Sequence, residues 1–347
     1  MHIQKNNLMR SLARWWTLQR MPMLDWIQVE ITSRCNASCL YCPRTAYGNC
    51  WADRDLSPDL FHVLLPFFAT TRLVHLQGWG EPLLHRDFFD MIGLARKAGC
   101  RVSTTTNGML LDRQNITRLV ESGIDHAAVS LAGIGKQNDE IRRGTEFNTI
   151  LGAISEIAAV KKALASDTPA VNVSYLLLNS QVSSLAEIVP ALEGRGIENV
   201  IISTLDFVPA RDLESERITP ENETEYRELK GKLDGLVEEG KRAGLTVHYR
   251  LADPGKSYRT CTENIGQAFF VSADGAVSPC VFTNIPASGV SHIVEGCDEI
   301  YERFTFGNLS ENPLSSIWLN DRYAEFRKSF RKTPSPRCRQ CPKLVAS

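Results

Sequence analysis

The stretch WIQVEITSRCNASCLYC, residues 26–42, decides the fold of this chain and points to its chemistry. It opens with a β-rich run (26–32) and continues directly into Cys35, Cys39 and Cys42. Because the three thiols follow a strand on one loop, we expect them to converge on one metal centre at the edge of a sheet. Structural zinc sites use a closed set of four ligands, whereas a cube of four irons held by three thiolates keeps one iron free to bind something else.

Outward from this stretch, short β-rich runs alternate with helical segments, which is typical of repeated βα units on a parallel sheet. The six runs cover residues 26–32, 72–77, 101–106, 126–131, 171–178 and 199–204. Helix starts are indicated at Ser57, Asp87 and Asp112, and left-handed caps at Gly99 and Gly123. Six units are fewer than the eight of a complete barrel, so we predict an α/β fold built on an open, partial (β/α)6 barrel.

The pattern changes towards the C-terminus. A long helix and one more strand, LTVHYRL, follow the polar stretch 207–222. Beyond Pro254 comes a small module containing cysteines, with a hairpin that turns at Asp274-Gly275. We therefore predict a helical extension (1–24), a partial-barrel domain (25–250) and an α+β module (251–347).

Composition excludes several classes of partner. With 39 basic and 40 acidic residues and a pI near 6.7, the chain has no global field that favours nucleic acid. It lacks an apolar run of the roughly 18 residues that would cross a bilayer, and its start lacks the apolar block of a signal peptide. The sequence therefore predicts a cytoplasmic protein without an integral membrane segment.

Ten cysteines in a reducing compartment favour metal or cluster ligation over disulfides. Seven of them form two groups: Cys35, Cys39 and Cys42 near the start, and Cys261, Cys280, Cys338 and Cys341 towards the end. We interpret the remaining three, Cys50, Cys100 and Cys297, as small hydrophobic residues, buried or partly exposed.

The first group resembles a known family. Three cysteines spaced by three and two residues, with an aromatic residue, here Tyr41, before the last, resemble the motif of the radical S-adenosylmethionine (SAM) enzymes. The segment Gly78-Trp79-Gly80-Glu81-Pro82 follows the second strand and is similar to the glycine-glycine-glutamate-proline segment of that family, with Trp79 in place of the second glycine. A zinc or redox-thiol site is the alternative for the three cysteines, but it does not explain the accompanying segment Gly78–Pro82.

The resemblance implies a SAM-binding site at the carboxyl ends of successive strands. Tyr41, Gly78, Gly80 and Glu81 would belong to it, with the loop backbone and Glu81 holding the SAM ammonium group. Asn107 would bond the ribose or the methionyl part. Ser130 and Arg143 would bind ribose hydroxyls and the SAM carboxylate. A 4Fe-4S cluster, reduced by a donor such as flavodoxin or ferredoxin, would then cleave SAM to a 5′-deoxyadenosyl radical.

The second group supplies four thiols, enough for one closed cluster or one closed zinc site. Gly307-Asn308-Leu309, Ile317-Trp318 and Phe326-Arg327 resemble the SPASM/twitch extension of the same family, which carries auxiliary 4Fe-4S clusters. The sequence lacks the further cysteines of a second auxiliary cluster. The resemblance therefore implies one auxiliary cluster, which would accept an electron from a substrate radical or only brace the fold.

The spacing of the second group resembles enzymes that oxidise aminocyclitol alcohols, which implies dehydrogenation of a small polar molecule. Asp206, Tyr175 and Arg142 are candidates for its catalytic base by their strand-end position alone. One alternative is a maturase acting on a peptide or protein side chain, although only about 25 residues precede the first strand, fewer than the roughly 50 of a recognition domain. Another alternative is a non-catalytic iron–sulfur or zinc scaffold protein.

Overall fold

The computed structural model describes residues 22–254, 258–330, 334–335, 338–339, 341 and 343–346. Most of the predicted N-terminal helical extension (1–24) lies outside these residues. No helix of the described part is both long and apolar enough to cross a bilayer.

One large sheet organises the described part of the chain. Its first six parallel strands are β1 (Leu24–Val29), β3 (Thr71–Leu76), β4 (Arg101–Thr106), β5 (His126–Leu131), β7 (Ala170–Leu177) and β8 (Asn199–Thr204). They pair in this order, and β9 (Thr246–Tyr249) continues the parallel sheet beyond β8. All six predicted βα strands are thus confirmed, five of them to within one residue and the first, predicted at 26–32, to within three.

Helices connect the strands and cover the outer face of the sheet, with the bounds α1 (Pro43–Tyr47), α2 (Pro58–Phe68), α3 (Phe88–Lys97), α4 (Arg113–Glu121), α5 (Lys136–Ile141), α6 (Phe147–Ala163), α7 (Ile188–Leu192), α8 (Glu223–Arg242), α9 (Leu314–Leu319) and α10 (Asp321–Ser329). The start signals work as expected for α2 and α4, because the side chains of Ser57 and Asp112 accept backbone N–H bonds. Asp87 precedes α3 but makes no side-chain cap. Gly99 and Gly123 adopt positive φ after α3 and α4.

The C-terminal region adds strands to this sheet. Its elements are β10 (Tyr258–Cys261), β11 (Ala268–Val271), β12 (Ala276–Ser278), β13 (Ser291–Val294), β14 (Cys297–Ile300), β15 (Gly307–Asn308) and β16 (Leu344–Ala346). The predicted hairpin is confirmed as β11–β12, with Gly275 at φ 81° in its turn. The sequence did not predict that β11 pairs in parallel with β1, so that one sheet runs from β15 through β12 and β11 into the barrel strands.

Two short ladders lie outside the large sheet near the cysteines. β2 (Ser38–Cys39) pairs antiparallel with β6 (Arg142–Arg143), and β10 pairs antiparallel with β16. Each ladder joins segments that are far apart in sequence and brings a cysteine loop against another part of the chain.

The main hydrophobic core runs continuously from the barrel into the C-terminal region. Ile27 and Val29 of β1 are fully buried, and Phe269 of β11 lies beside them in the same core. Phe269 also packs on Trp318 of α9, with ring centroids 5.6 Å apart. Burial of this apolar surface, rather than the loops alone, therefore holds the C-terminal region on the barrel.

Phe269→Ala should lower the free energy of unfolding by about 3–5 kcal/mol, because it removes a ring that is 1 % exposed and leaves a cavity. Anaerobic urea unfolding measures the change. Val63→Ala is the control, since Val63 on α2 is 39 % exposed and its truncation should cost less than about 0.5 kcal/mol. Equal losses of unfolding free energy in the two variants would contradict a core shared by the barrel and the C-terminal region.

Candidate functional site

The first cysteine loop leaves the carboxyl end of β1 and is fixed by local and long-range bonds. Cys42 N–H donates to the Cys39 carbonyl at 3.1 Å, which closes a tight turn between these two cysteines. Leu40 N–H donates to the Ile141 carbonyl at 2.9 Å, next to the β2–β6 ladder. Burial raises the pKa of the Cys42 thiol to about 12, and the nearby charges of Cys39 and Cys35 add to the rise. Cys35 and Cys39 thus lie near enough to affect the Cys42 thiol, and the binding of one metal centre by all three stays a prediction.

The glycines at 78 and 80 let the next loop approach the first one. A Cβ atom on Gly78 would lie 2.4 Å from the Glu30 Cβ, and one on Gly80 would lie 2.3 Å from the Thr32 carbonyl oxygen. Real Cβ atoms do not approach other atoms so closely, so only glycine fits at these two positions. Trp79, which stands between them, is half-buried.

Glu81 is buried and bonds to the end of the neighbouring strand. Its carboxylate accepts hydrogen bonds from the Thr106 hydroxyl and the Asn107 N–H, both at 2.7 Å, and from the Leu83 N–H at 3.2 Å. Burial raises its pKa, and these donors partly offset the rise. Glu81 therefore fixes the Gly78–Pro82 loop against the end of β4, and its contact with the SAM ammonium group stays a prediction.

Asn107 lies directly against the cysteine loop. Its Nδ2 donates to the Asn36 Oδ1 at 2.7 Å and lies 3.8 Å from the Cys35 Sγ. Ser130 is half-buried near the end of β5, where it is the register partner of Ser174 on β7. The structure thus places Asn107 beside a cluster ligand and Ser130 two strands along the sheet from β3.

Arg142 and Arg143 point into different surroundings, which the sequence could not reveal. Arg142 is 5 % exposed and donates a hydrogen bond to the Tyr41 hydroxyl, whereas Arg143 is exposed. Burial opposes the Arg142 charge, but Tyr41, Cys39 and Cys35 outweigh it and raise the Arg142 pKa. The guanidinium beside the cysteine loop therefore belongs to Arg142, while the role predicted for Arg143 stays a prediction.

Two other base candidates already have protein partners. Tyr175 is buried in the main core, and its hydroxyl accepts the Gly133 N–H at 3.1 Å. Burial raises the Tyr175 pKa to about 12. Asp206 follows β8, and its carboxylate contacts Arg250 Nη2 at 3.0 Å and Lys343 Nζ at 3.1 Å. Of the two, only Asp206 lines the large cavity described below.

The second cysteine group is assembled mainly by long-range pairing. The β10–β16 ladder opposes Cys261 to Leu344, which brings Cys261 alongside Cys341. Cys341 N–H donates to the Cys338 carbonyl at 3.2 Å, the same type of turn as in the first group. Cys280 comes shortly after β12, and its pKa is raised by burial first and then by Glu263, Cys341 and Cys261. Cys261, Cys280 and Cys341 thus lie near enough to affect one another, Cys338 is joined to Cys341 by the backbone turn, and the binding of one cluster by all four thiols stays a prediction.

A buried network of charges flanks this second group, and the sequence analysis missed it. Lys343 Nζ lies 3.1 Å from the Asp206 carboxylate and 3.3 Å from that of Glu263. Burial opposes the Lys343 charge, but the two carboxylates outweigh it and raise the Lys343 pKa. Only the position of Lys343, two residues after Cys341, could have suggested a role near the cluster.

The two cysteine groups are separated by aromatic side chains and a cavity. The Phe282 ring lies 5.8 Å from that of Trp79 and 6.3 Å from that of Phe207, which stacks on His292 at 5.1 Å. The cavity measures about 760 Å³ and is lined by Asp206, Cys280 and Lys343, among others. It therefore joins the ends of the barrel strands to the second cysteine group.

The three remaining cysteines lie outside both groups. Cys100 is buried, as predicted, and its thiol donates to the Ala95 carbonyl at 3.2 Å. Cys50 and Cys297 are exposed. Neither is therefore a packed core residue.

Three thiols on a strand-end loop and a second thiol set beside a cavity define a class of iron–sulfur enzyme. Residues 29–170 match the model of the radical SAM superfamily, and residues 261–342 match the SPASM model, an iron–sulfur cluster-binding domain. The chain belongs to the radical SAM superfamily and carries a SPASM domain. Its cofactors are therefore SAM and 4Fe-4S clusters.

The chain is similar to several known proteins. It is 24% identical to the tungsten-containing aldehyde ferredoxin oxidoreductase cofactor-modifying protein of Pyrococcus furiosus, over 92% of this chain and 87% of that protein. It is 25% identical to the PqqA peptide cyclase of Gluconobacter oxydans, over 94% and 84%. The crystal structure of Streptococcus suis SuiB bound to precursor peptide SuiA has the same fold, with a TM-score of 0.63 and 15% identity over 97% and 73%.

Gly80→Ala should displace the loop from the cysteine segment, because its new Cβ would lie 2.3 Å from the Thr32 carbonyl oxygen. We expect a loss of about 1–3 kcal/mol in unfolding free energy and a lower iron content after reconstitution. Gly93→Ala in α3 is the control, since its Cβ would meet nothing within 4 Å. Full iron content in Gly80→Ala would contradict the close approach of the two loops.

From the burial of Glu30 we predict that the stability of the protein depends on pH. Burial raises its pKa from 4.5 to about 7, while hydrogen bonds from Trp79 N–H and Ala273 N–H lower it. Because the folded pKa exceeds the unfolded one, its contribution to stability is greatest below about pH 4.5 and is lost as the pH rises to about 7.

In the wild-type protein, the unfolding free energy that Glu30 loses between about pH 4.5 and pH 7 amounts to about 3 kcal/mol. Glu30→Gln should remove this part of the difference in unfolding free energy between about pH 5 and pH 8, measured by anaerobic urea unfolding. Glu121→Gln, at an exposed position on α4, should leave it unchanged. The same pH difference in both variants would show that Glu30 does not titrate in this range.

Proposed function

We propose that this enzyme modifies a side chain of a peptide or protein. The observation that carries the proposal is the cavity of about 760 Å³ at the strand ends, between the barrel and the second cysteine group. Ligand cavities of proteins measure about 300–1,000 Å³, so this one is in the upper part of the range. It would admit a side chain together with some of its flanking backbone.

The relatives support the same reading. The Gluconobacter oxydans protein is named a peptide cyclase, and the similarity covers 94% of this chain and 84% of that one. The Pyrococcus furiosus relative is named a cofactor-modifying protein, so modification of a cofactor is the outcome against which a peptide substrate is tested. The relatives reported above are not named for oxidation of a sugar or aminocyclitol alcohol, and that reaction stays a prediction.

The two cysteine groups would have different tasks. Cys35, Cys39 and Cys42 would hold the 4Fe-4S cluster that, when bound, supplies the electron for cleavage of SAM into a 5′-deoxyadenosyl radical. Arg142 would provide a fixed positive charge beside this site, because its guanidinium is buried next to Cys39 and Cys35. The aromatic side chains between the groups would exclude water and other hydrogen donors.

The second group would serve the later part of the reaction. Cys261, Cys280, Cys338 and Cys341 would hold the auxiliary cluster. Asp206 lines the same cavity, and Lys343 lies 3.1 Å from its carboxylate. We propose that Asp206 takes up the proton that the substrate loses and that Arg250 and Lys343 hold its carboxylate in place.

Cys35→Ala should reduce formation of 5′-deoxyadenosine to background, because one of the three cluster ligands is lost. The assay is liquid chromatography after anaerobic reconstitution with iron and sulfide and addition of SAM and dithionite. Cys50→Ala is the matched control, since this cysteine is exposed and lies outside both groups. Continued 5′-deoxyadenosine formation by Cys35→Ala would overturn the assignment of the first site.

The substrate class needs its own experiment. The reconstituted enzyme is incubated with SAM and, separately, with a random peptide library, an aminocyclitol and an iron porphyrin. Peptides that lose two hydrogens or gain a cross-link, seen by mass spectrometry only with SAM present, support the proposal. Stimulation of 5′-deoxyadenosine formation only by the aminocyclitol or the porphyrin would refute it.

A further inference from the structure

The β13–β14 hairpin forms one wall of the cavity. Its strands are joined by a two-residue turn at Glu295-Gly296, where both residues have positive φ, 47° and 80°. This is the conformation of a tight type I′ hairpin turn. Both strands contribute residues to the cavity, among them His292 and Ile300.

The register of the hairpin shows which backbone groups point outward. In an antiparallel pair, hydrogen-bonded and non-hydrogen-bonded residue pairs alternate. Val294 and Cys297 flank the turn as a bonded pair, so Ile293–Asp298 is a non-bonded pair, and Ser291–Ile300 is another. A backbone bond of β13 agrees with this alternation. The Ile293 N–H points out of the hairpin and donates to the Val208 carbonyl at 2.9 Å.

By the same alternation, the N–H and C=O groups of Asp298 and Ile300 point outward from β14, away from β13. No other strand of the described residues pairs with that side. All four side chains of β14 are exposed, and Ile300 is 80 % exposed. Outward groups repeated every second residue are the pattern that an added strand requires.

The charge around this edge indicates the kind of strand that would fit. Asp206 and Glu263 of the cavity are paired with Arg250 and Lys343. The other charged residues of the lining are five glutamates and two arginines, namely Glu214, Glu221, Glu295, Glu299, Glu302, Arg217 and Arg339. Asp298 is paired with Arg211, but a second copy of β14 would still bring its Glu299 against the acidic lining, which opposes self-pairing. A basic strand would be attracted.

We propose that β14 is a docking strand for an extended, basic segment of the peptide substrate, which pairs with the outward groups of Asp298 and Ile300. The segment next to the docked one would then enter the cavity. Main-chain bonds would give affinity with little dependence on sequence, and the acidic lining would select lysine- or arginine-containing segments. This inference rests on the proposed function, because it presupposes a peptide substrate.

The test uses the reconstituted full-length enzyme and a fluorescent probe of alternating lysine and threonine, followed by fluorescence anisotropy. Ile300→Pro removes the outward N–H donor but leaves the inner hairpin bonds, since Ile300 belongs to a non-bonded pair. We expect it to weaken binding at least about tenfold, and the matched control Ile300→Thr, which keeps the N–H, to change it less than about threefold. A glutamate–threonine probe should not bind.

A second binding experiment uses only the wild-type enzyme, so its result does not depend on whether a variant folds. The same lysine–threonine probe, N-methylated at every second residue, keeps its charge but cannot form the strand ladder, so wild-type enzyme should bind it at least about tenfold more weakly. Equal binding of the methylated and unmethylated probes, or of Ile300→Pro and Ile300→Thr at equal iron content, would overturn the docking strand.

These outcomes are distinct from failure of the proposed function. If library peptides are modified with SAM while both binding arms show no effect, the peptide substrate stands and the docking strand is wrong. If only the aminocyclitol or the porphyrin stimulates the enzyme, both proposals are wrong.

Discussion

The buried carboxylate of Glu30 is the interaction on which the rest of the site depends. Its two oxygens accept the Trp79 N–H at 2.8 Å and the Ala273 N–H at 3.1 Å, so one side chain at the end of β1 ties the glycine loop to the C-terminal hairpin. Its own N–H donates to the Val271 carbonyl at 2.8 Å. Gly78 must lack a side chain because Glu30 fills that space. The cysteine loop that follows β1 therefore begins from a position fixed on both sides.

The hairpin end of this connection is held by a half-buried ion pair between Asp274 and Arg303. Burial opposes ionisation of Asp274, but hydrogen bonds from Arg303 and Ser272 outweigh it and lower the Asp274 pKa to about 2. Arg303 also donates to the Ser272 hydroxyl at 2.9 Å, next to the turn at Gly275. A half-buried pair of this kind contributes little net stability, but together with the Ser272 bonds it favours one arrangement of the segments that it joins.

This arrangement places the second cysteine group in the lining of the large cavity, whereas the first group lies on the loop after β1, outside that lining. The turns at Cys39–Cys42 and Cys338–Cys341 are local, but the ladders that position them, β2–β6 and β10–β16, join distant segments. Between the groups lie aromatic rings, and beside the second group lies the Asp206–Lys343–Glu263 network. A reactive radical needs such an enclosed, dry path, whereas an extended substrate needs the open acidic edge at β14.

The sequence by itself determined the periodic elements and indicated the cysteines that are the candidate cluster ligands. Alternating β-rich and helical runs placed all six βα strands, and the spacing of Cys35, Cys39 and Cys42 indicated an open cluster site, because these signals are local in the chain. Only the tertiary structure decided that β11 joins β1, that the side chain of Arg142 rather than that of Arg143 is buried at the cysteine loop, and that Lys343 lies between two carboxylates. Each of these depends on register and burial between segments up to about 250 residues apart, which no local pattern of residues records.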